Sequence, residues 1–339
     1  MTIMRQENLS RIAENTNLPV TLAAIEHAAD MIRSHVVRTL LVQSPSLSKE
    51  SGQPVYLKLE TRQPIGAFKL RGAMNALLAL DQASRQRGLV TASTGNHGRA
   101  VAYAAKELGV PATICMSALV PANKVEAIKA LGAEVCIIGT SQDDAQDEVE
   151  RLVATRGLVP IPPFDAVDVV AGQGTIGLEL VEDLPDLDTV LVPLSGGGLA
   201  GGVAVAVKAR KPRARIVGIS MERGAAMHAS LAAGQPIFVR EEETLADSLG
   251  GGIGLANSVT FALCRDLLDE IVLLTEDEIA TGVRHAERAE NEVVEGAGAV
   301  GIAAILSEKV SLKGATAIIV SGRNIDPARH KAIMEGASA

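Results

Sequence analysis

Thr189-Val190-Leu191-Val192-Pro193-Leu194-Ser195-Gly196-Gly197-Gly198-Leu199-Ala200-Gly201 holds a strand, a glycine turn and a helix start in one stretch. The run TVLVPL is apolar throughout, as a strand covered by helices on both faces must be. Gly196–Gly198 turn the chain, and Leu199–Arg210 continues in small residues with a helical pattern. Amides at such a helix start attract anions, phosphate above all. Gly196–Gly201 also fits G-x-G-x-x-G, and Glu222 closes the next β-branched run, where the ribose-binding acid of a dinucleotide fold would stand. A second match is Gly172–Gly177. No Gly-Lys-Ser/Thr follows either one, which excludes a P-loop. These residues alone leave three readings open: a nicotinamide-dependent dehydrogenase, a smaller phosphate-bearing cofactor, and a glycine turn that serves only close helix–strand packing.

Outward from this unit the pattern repeats. Strands are expected at Val55–Leu59, Leu89–Ala92, Ala112–Met116, Val135–Ile138, Val190–Leu194, Ile216–Ser220, Ile271–Leu274 and Ala317–Val320. Amphipathic stretches lie between them: GRAVAYAAKELG and NKVEAIKALG stop at Gly109 and Gly132, and a third starts at the capping-box pair Thr275 and Glu278. The fold class is α/β, with open, mostly parallel twisted sheets. The proline-rich patch Val159–Phe164 is the candidate crossing between domains.

With 339 residues, 47% of them apolar, the chain has material for two domains and a large core. The net charge of −8 and only six aromatic residues argue against a nucleic-acid partner. No apolar run approaches the roughly 20 residues of a membrane span, and MTIMRQENLSRIAENTNLPV lacks a secretory core, so a cytoplasmic protein without membrane contact is expected. Cys115, Cys136 and Cys264 stand singly and read as reduced, buried thiols.

Two further segments carry chemistry. Gly66-Ala67-Phe68-Lys69-Leu70-Arg71-Gly72-Ala73 sets one lysine among apolar neighbours. A desolvated amine loses basicity and becomes a nucleophile toward carbonyls, which makes Lys69 a Schiff-base candidate. Ser93-Thr94-Gly95-Asn96-His97-Gly98-Arg99 follows the strand LVTA and offers hydroxyls, an amide and free backbone N–H groups to a carboxylate.

Taken in order, GAFKLRGA, STGNHGRA, AGQGTIGLEL, PLSGGGLAGG, EGAGAVG and VSGRN resemble the fold-type II pyridoxal-phosphate enzymes, in particular the threonine/serine dehydratase and serine racemase family. The resemblance runs from about residue 20 to 330, and ADSLGGGIG with SGRN looks most like the hydroxyectoine-utilisation dehydratases. It implies a two-domain, tryptophan synthase β-like fold: residues 1–85 and 167–339 form a large cofactor domain, and 86–166 a small domain closing over the substrate. It implies pyridoxal 5′-phosphate as cofactor, a homodimer, and a small amino-acid substrate. Lys69 would bind the cofactor and move the Cα proton, beside Phe68. Asn96 would bond the ring 3′-oxygen, Ser321 would face the pyridine nitrogen, and Glu295 would lie near the ring. Ser195, Gly196, Gly197, Gly198 and Leu199 would bind the phosphate, and Gly172–Gly177 would be a packing turn between the domains. Ser93, Thr94, Gly95 and His97 would hold the substrate carboxylate, with Thr94 the second catalytic group in a racemase.

The sequence departs from the family pattern in three places. Ala67 stands where a serine is usual, and Arg323 replaces a glycine, placing a cation where it could contact a second carboxylate or polar arm of the substrate. His228 stands where racemase-like members carry a metal-binding acid, so no metal site is expected. The resemblance implies elimination of water from a β-hydroxy amino acid of the L-threonine/L-serine type, or from a hydroxyectoine-derived compound, giving a 2-keto acid and ammonia. An amino-acid racemase of the same family is the first alternative, and a nicotinamide dehydrogenase the second.

Overall fold

The computed structural model describes residues 18–93, 95–120 and 122–336 and, of Asn123, the backbone alone. Two sheets organise it. The larger has the order β1-β2-β10-β7-β8-β9, where β1 is Leu41–Gln43, β2 Val55–Leu59, β7 Leu187–Pro193, β8 Arg215–Met221, β9 Glu270–Leu274 and β10 Ala315–Val320. The smaller has the order β5-β4-β3-β6, with β3 at Leu89–Ala92, β4 at Ala112–Met116, β5 at Glu134–Ile137 and β6 at Val159–Pro160. The edge strand β1 pairs antiparallel with β2, and the other ladders are parallel.

Helices connect the strands. In chain order they are α1 (Leu22–Ile32), α2 (Pro45–Ser51), α3 (Lys69–Ala79), α4 (Gln82–Arg87), α5 (Asn96–Leu108), α6 (Ala122–Lys129) and α7 (Gln142–Arg156). They continue with α8 (Val167–Asp183), α9 (Gly198–Arg210), α10 (Ala226–Ala233), α11 (Thr260–Leu267), α12 (Glu276–Glu290), α13 (Gly296–Leu306) and α14 (Pro327–Met334). The capping box read at Thr275 and Glu278 forms, each side chain meeting the other residue's amide. Among the described residues no helix is long and apolar enough to cross a membrane.

The pleat sorts the core. In β10, Ala317 and Ile319 join the apolar cluster under α1, α8, α9 and α11, while Ile318 and Val320 join the cluster under α12 and α13. A third cluster joins α3 and α5 to one face of the smaller sheet, through Leu89, Ile114 and Met116. Strands buried on both faces need apolar residues at every position, which is why they read as continuous runs.

Gly172–Gly177, expected as a packing turn, instead lies inside α8. Close approach explains glycine in the middle of a helix. A Cβ on Gly172 would stand 2.6 Å from the Arg71 carbonyl oxygen, and one on Gly174 2.9 Å from that of Gly202. A Cβ on Gly177 would stand 2.8 Å from Ala206. These glycines let α8 press directly on α3 and α9, at the backbone cost glycine brings to a helix.

Candidate active site

Both sheets end in turns that meet. β3 leads through Ser93 and Gly95 into α5, β7 leads through Ser195–Gly197 into α9, and β10 ends at Ser321–Asn324. Ligands of open α/β sheets bind at these carboxyl ends. The residues before Lys69 are laid along the last of these turns. Phe68 N–H donates to the Ser321 carbonyl at 3.0 Å, Arg323 N–H donates to the Gly66 carbonyl at 2.9 Å, and Ala67 bridges Gly322.

Lys69 therefore opens α3 with its amine fixed in direction. Its Nζ donates to the Pro163 carbonyl at 2.7 Å and lies 5.3 Å from the centroid of the Phe68 ring. Burial lowers the amine to about 8, against the opposing pull of the Glu295 carboxylate. A measurable fraction is then neutral near physiological pH, which a nucleophilic amine requires.

Glu295, 3% exposed, precedes α13. Burial and then Asp247 push its carboxyl up to about 7, against the Asn96 hydrogen bond. A chain of donors runs to it. Arg99 Nη1 donates to Asn324 Oδ1 (2.9 Å), Asn324 Nδ2 to Asn96 Oδ1 (2.6 Å), and Asn96 Nδ2 to Glu295 Oε1 (2.7 Å). The chain fixes the Asn96 amide and leaves its second N–H for a ligand. Arg99 and Asn324 stand in the motifs STGNHGRA and VSGRN, where the sequence assigns them no role. Their partners lie more than 200 residues away, and no local pattern signals them.

His97 is buried and its Nε2 meets the Ile161 carbonyl at 2.9 Å, so Nε2 carries the proton. Its Nδ1 is a buried acceptor without a partner among the described residues. Burial first and Lys69 second lower the ring to about 3, so it stays neutral. Such a ring cannot donate to a carboxylate through Nδ1; only the His97 backbone N–H, in the first turn of α5, can do so. The Ser93 hydroxyl accepts the Gly95 N–H at 3.4 Å, and Thr94 lies outside the described residues.

The second turn is walled by side chains. Gly197 has φ +86° and precedes α9, whose first amides have no helical acceptor. A Cβ on Gly196 would stand 2.4 Å from the Phe164 ring, and one on Gly197 2.8 Å from Cys264 Sγ. Leu199 is buried beneath this turn. Ser321, 3% exposed, directs its hydroxyl at the Ala297 carbonyl over a long 3.4 Å, leaving its lone pairs open. Arg323 is exposed, and its guanidinium has no hydrogen bond or ion pair among the described residues. Glu222, the acid of the dinucleotide reading, directly follows β8 and lies 3.6 Å from Lys309. Among the described residues no cluster of three His, Cys, Asp or Glu could hold a metal ion.

The profile of the family described as "Pyridoxal-phosphate dependent enzyme" matches residues 32–322. The chain belongs to this pyridoxal-phosphate dependent family. The family match corrects the nicotinamide reading drawn from Gly196–Gly201 and Glu222: the cofactor of this family is pyridoxal phosphate. A Sinorhizobium fredii protein provisionally named threonine dehydratase is 58% identical over 318 residues, covering 94% of this chain and 96% of that one. The L-threonine ammonia-lyase of Thermotoga maritima is 42% identical over 308 residues, covering 91% of this chain and 76% of that one. The structure of maize serine racemase superposes with a TM-score of 0.88 at 35% identity, covering 93% of this chain and 97% of that one. The residues present fit the cofactor of a pyridoxal-phosphate dependent enzyme: a desolvated lysine for its carbonyl, a glycine helix start for its phosphate, and an oriented amide between them.

Proposed function

We propose that the chain is a pyridoxal-phosphate dependent dehydratase, converting a β-hydroxy amino acid of the L-threonine or L-serine type to a 2-keto acid and ammonia. The observation that carries this reading is the enclosed Lys69 amine, lowered to about 8, in a chain 58% and 42% identical to proteins named for threonine dehydration or deamination. Bound pyridoxal phosphate supplies an electron-withdrawing ring that acidifies the Cα–H of an amino acid attached to it.

The chain's own groups do the rest. Lys69 Nζ holds the cofactor at rest and, once released, takes the Cα proton. The amides of Gly196, Gly197, Gly198 and Leu199, with Ser195, bind the phosphate. Asn96 donates its free N–H to the ring oxygen, held in place by Arg99 and Asn324, while Phe68 and Glu295 border the ring. Ser321 offers the ring nitrogen a neutral hydroxyl, which does not hold that nitrogen protonated as a carboxylate would. Held by a neutral hydroxyl, the cofactor would supply weaker electron withdrawal, which suits loss of the β-hydroxyl. Ser93, Thr94, Gly95 and the backbone N–H of His97 receive the substrate carboxylate, and Arg323 reaches a polar arm of the substrate.

Residues 86–166 act as the small domain that closes over the substrate, against the large domain of 1–85 and 167–339. Resemblance supports a homodimer in the cytoplasm, and a hydroxyectoine-derived substrate as the variant reading. The 0.88 superposition on a serine racemase favours racemisation as the second reading.

Incubation with L-threonine and L-serine, following keto acid and ammonia together with the chirality of recovered substrate, separates the readings. Keto acid with unchanged chirality is expected. Inverted substrate without keto acid would overturn the dehydratase. Borohydride reduction of the holoenzyme should bleach its visible band and label Lys69.

A further inference from the structure

Residues 161–166 cross from the smaller sheet to α8, and four successive contacts bind them to the site. The Ile161 carbonyl accepts from His97, the Pro163 carbonyl accepts from Lys69, and the Phe164 ring lies where a Cβ on Gly196 would be. Asp165 makes the fourth. Its Oδ1 accepts the amides of Val259 (2.9 Å) and Thr260 (2.8 Å), and its Oδ2 accepts that of Ser258 (2.9 Å). Asn257 Oδ1 takes the next amide, Phe261, at 2.8 Å. Two side chains thus satisfy four successive amides at the start of α11, which would otherwise need water.

α11 is the other wall of the phosphate turn. A Cβ on Gly197 would meet Cys264 Sγ at 2.8 Å and Thr260 Cβ at 3.1 Å, both from this helix. The turn Gly196–Gly198 is therefore gripped between Phe164 on one side and α11, together with Met227 of α10 at 2.8 Å from the same Cβ, on the other. Phe164 and Asp165 are neighbours in the chain, so the hydrogen bonds of Asp165 set the distance between the two walls. They also settle which helix start is available. The amides opening α11 are occupied by a carboxylate of the protein itself, whereas among the described residues no side chain caps those opening α9.

We propose that Asp165 is a positioning residue for the cofactor: it clasps the 161–166 strap to α11 and so keeps the Gly196–Gly198 turn open to the width of a phosphate. The proposal goes beyond the dehydratase reading and is independent of substrate. It rests only on the assignment of Gly196–Gly198 to the cofactor phosphate.

Cofactor-free protein titrated with pyridoxal phosphate and, separately, with pyridoxal tests both, the visible band reporting binding. Wild type should prefer the phosphorylated form strongly. Asp165→Ala should lose about tenfold of that preference, a loss in line with removing a helix cap, while its affinity for pyridoxal changes little. Asp165→Asn keeps an acceptor for Val259 and Thr260 and should retain most of the preference. Phe164→Leu, which thins the other wall, should lose it as the alanine variant does and serves if Asp165→Ala does not fold. A wild type indifferent to the phosphate would overturn the phosphate assignment itself. A wild-type preference kept intact in Asp165→Ala, or in Phe164→Leu where that variant stands in, would overturn the clasp. Equal loss of both ligands would also overturn it, since that is the mark of general unfolding.

Discussion

Arg71, two residues after Lys69, is 1% exposed and stands between two buried carboxylates. Its guanidinium donates to Glu60 through Nε (2.9 Å) and Nη2 (2.8 Å), to Glu179 through Nη1 (2.6 Å) and Nη2 (3.0 Å), and to Thr175 (3.1 Å). Lys58, fully buried, adds a second cation 2.6 Å from Glu179. Two cations thus face two buried carboxylates. Burial alone would raise the Glu60 carboxyl, but Arg71, Thr39 and Lys58 together hold it below the usual range. Arg71→Met removes one cation and leaves an unmatched carboxylate in the interior, a lesion that costs about 3–5 kcal/mol. The melting temperature should fall by roughly 5–15 °C.

The size of that loss should depend on pH. In the wild type the folded pKa of Glu60 is depressed, so its stabilising contribution holds at neutral pH and fades only in acid. In Arg71→Met burial is no longer offset, and the folded pKa should rise above the unfolded value of about 4.3. The folded variant then binds up to one extra proton, and its deficit against wild type should shrink on acidification from 7 toward 5, by at most about 1.4 kcal/mol per pH unit. Urea titrations of both proteins at several pH values measure this. A deficit of the same size at pH 7 and pH 5 would refute the buried-charge reasoning and reduce Arg71 to a packing residue.

Other consequences are direct. Lys69→Ala should abolish turnover and borohydride labelling while the fold, read by circular dichroism, persists. Because the Lys69 amine is lowered to about 8, cofactor capture by cofactor-free enzyme should accelerate from pH 7 to 9, and Glu295→Gln, which removes the carboxylate opposing that shift, should move the midpoint lower. Arg323→Gly should alter the ratio of kcat/KM between threonine and substrates with a second polar arm, with little change in melting temperature. Gly202→Ala should destabilise by about 1–3 kcal/mol or more, because its Cβ would stand 2.4 Å from the Val170 carbonyl oxygen on α8, where only backbone can yield.

What the sequence discloses and what it hides divide along a physical line. The central strands were legible because burial on both faces demands apolar residues at every position; Val55–Leu59, Leu89–Ala92 and Ala112–Met116 form with the bounds read from sequence. Leu41–Gln43 and Val159–Pro160 were not, because edge strands need neither length nor apolar alternation. Pro160 even lacks an amide, tolerable where one side of the strand has no partner. Gly172–Gly177 misled because a glycine cluster signals a turn locally, whereas here it answers to neighbours on α3 and α9.

The site divides in the same way. Lys69 and the Gly196–Gly198 turn announce themselves, since a lone lysine among apolar residues and a glycine helix start are local patterns with direct chemical meaning. The groups that aim them are ordinary residues whose partners are distant. Arg99 acts through Asn324, Asn324 through Asn96, and Asp165 through three amides some 95 residues onward. A residue that touches the reacting atoms must have a particular chemistry, so its type is informative wherever it stands. A residue that positions another needs only a donor or acceptor at the right point in space. Its type therefore says little until the fold has placed it, and Asp165 in particular was indistinguishable in sequence from any acid in a loop.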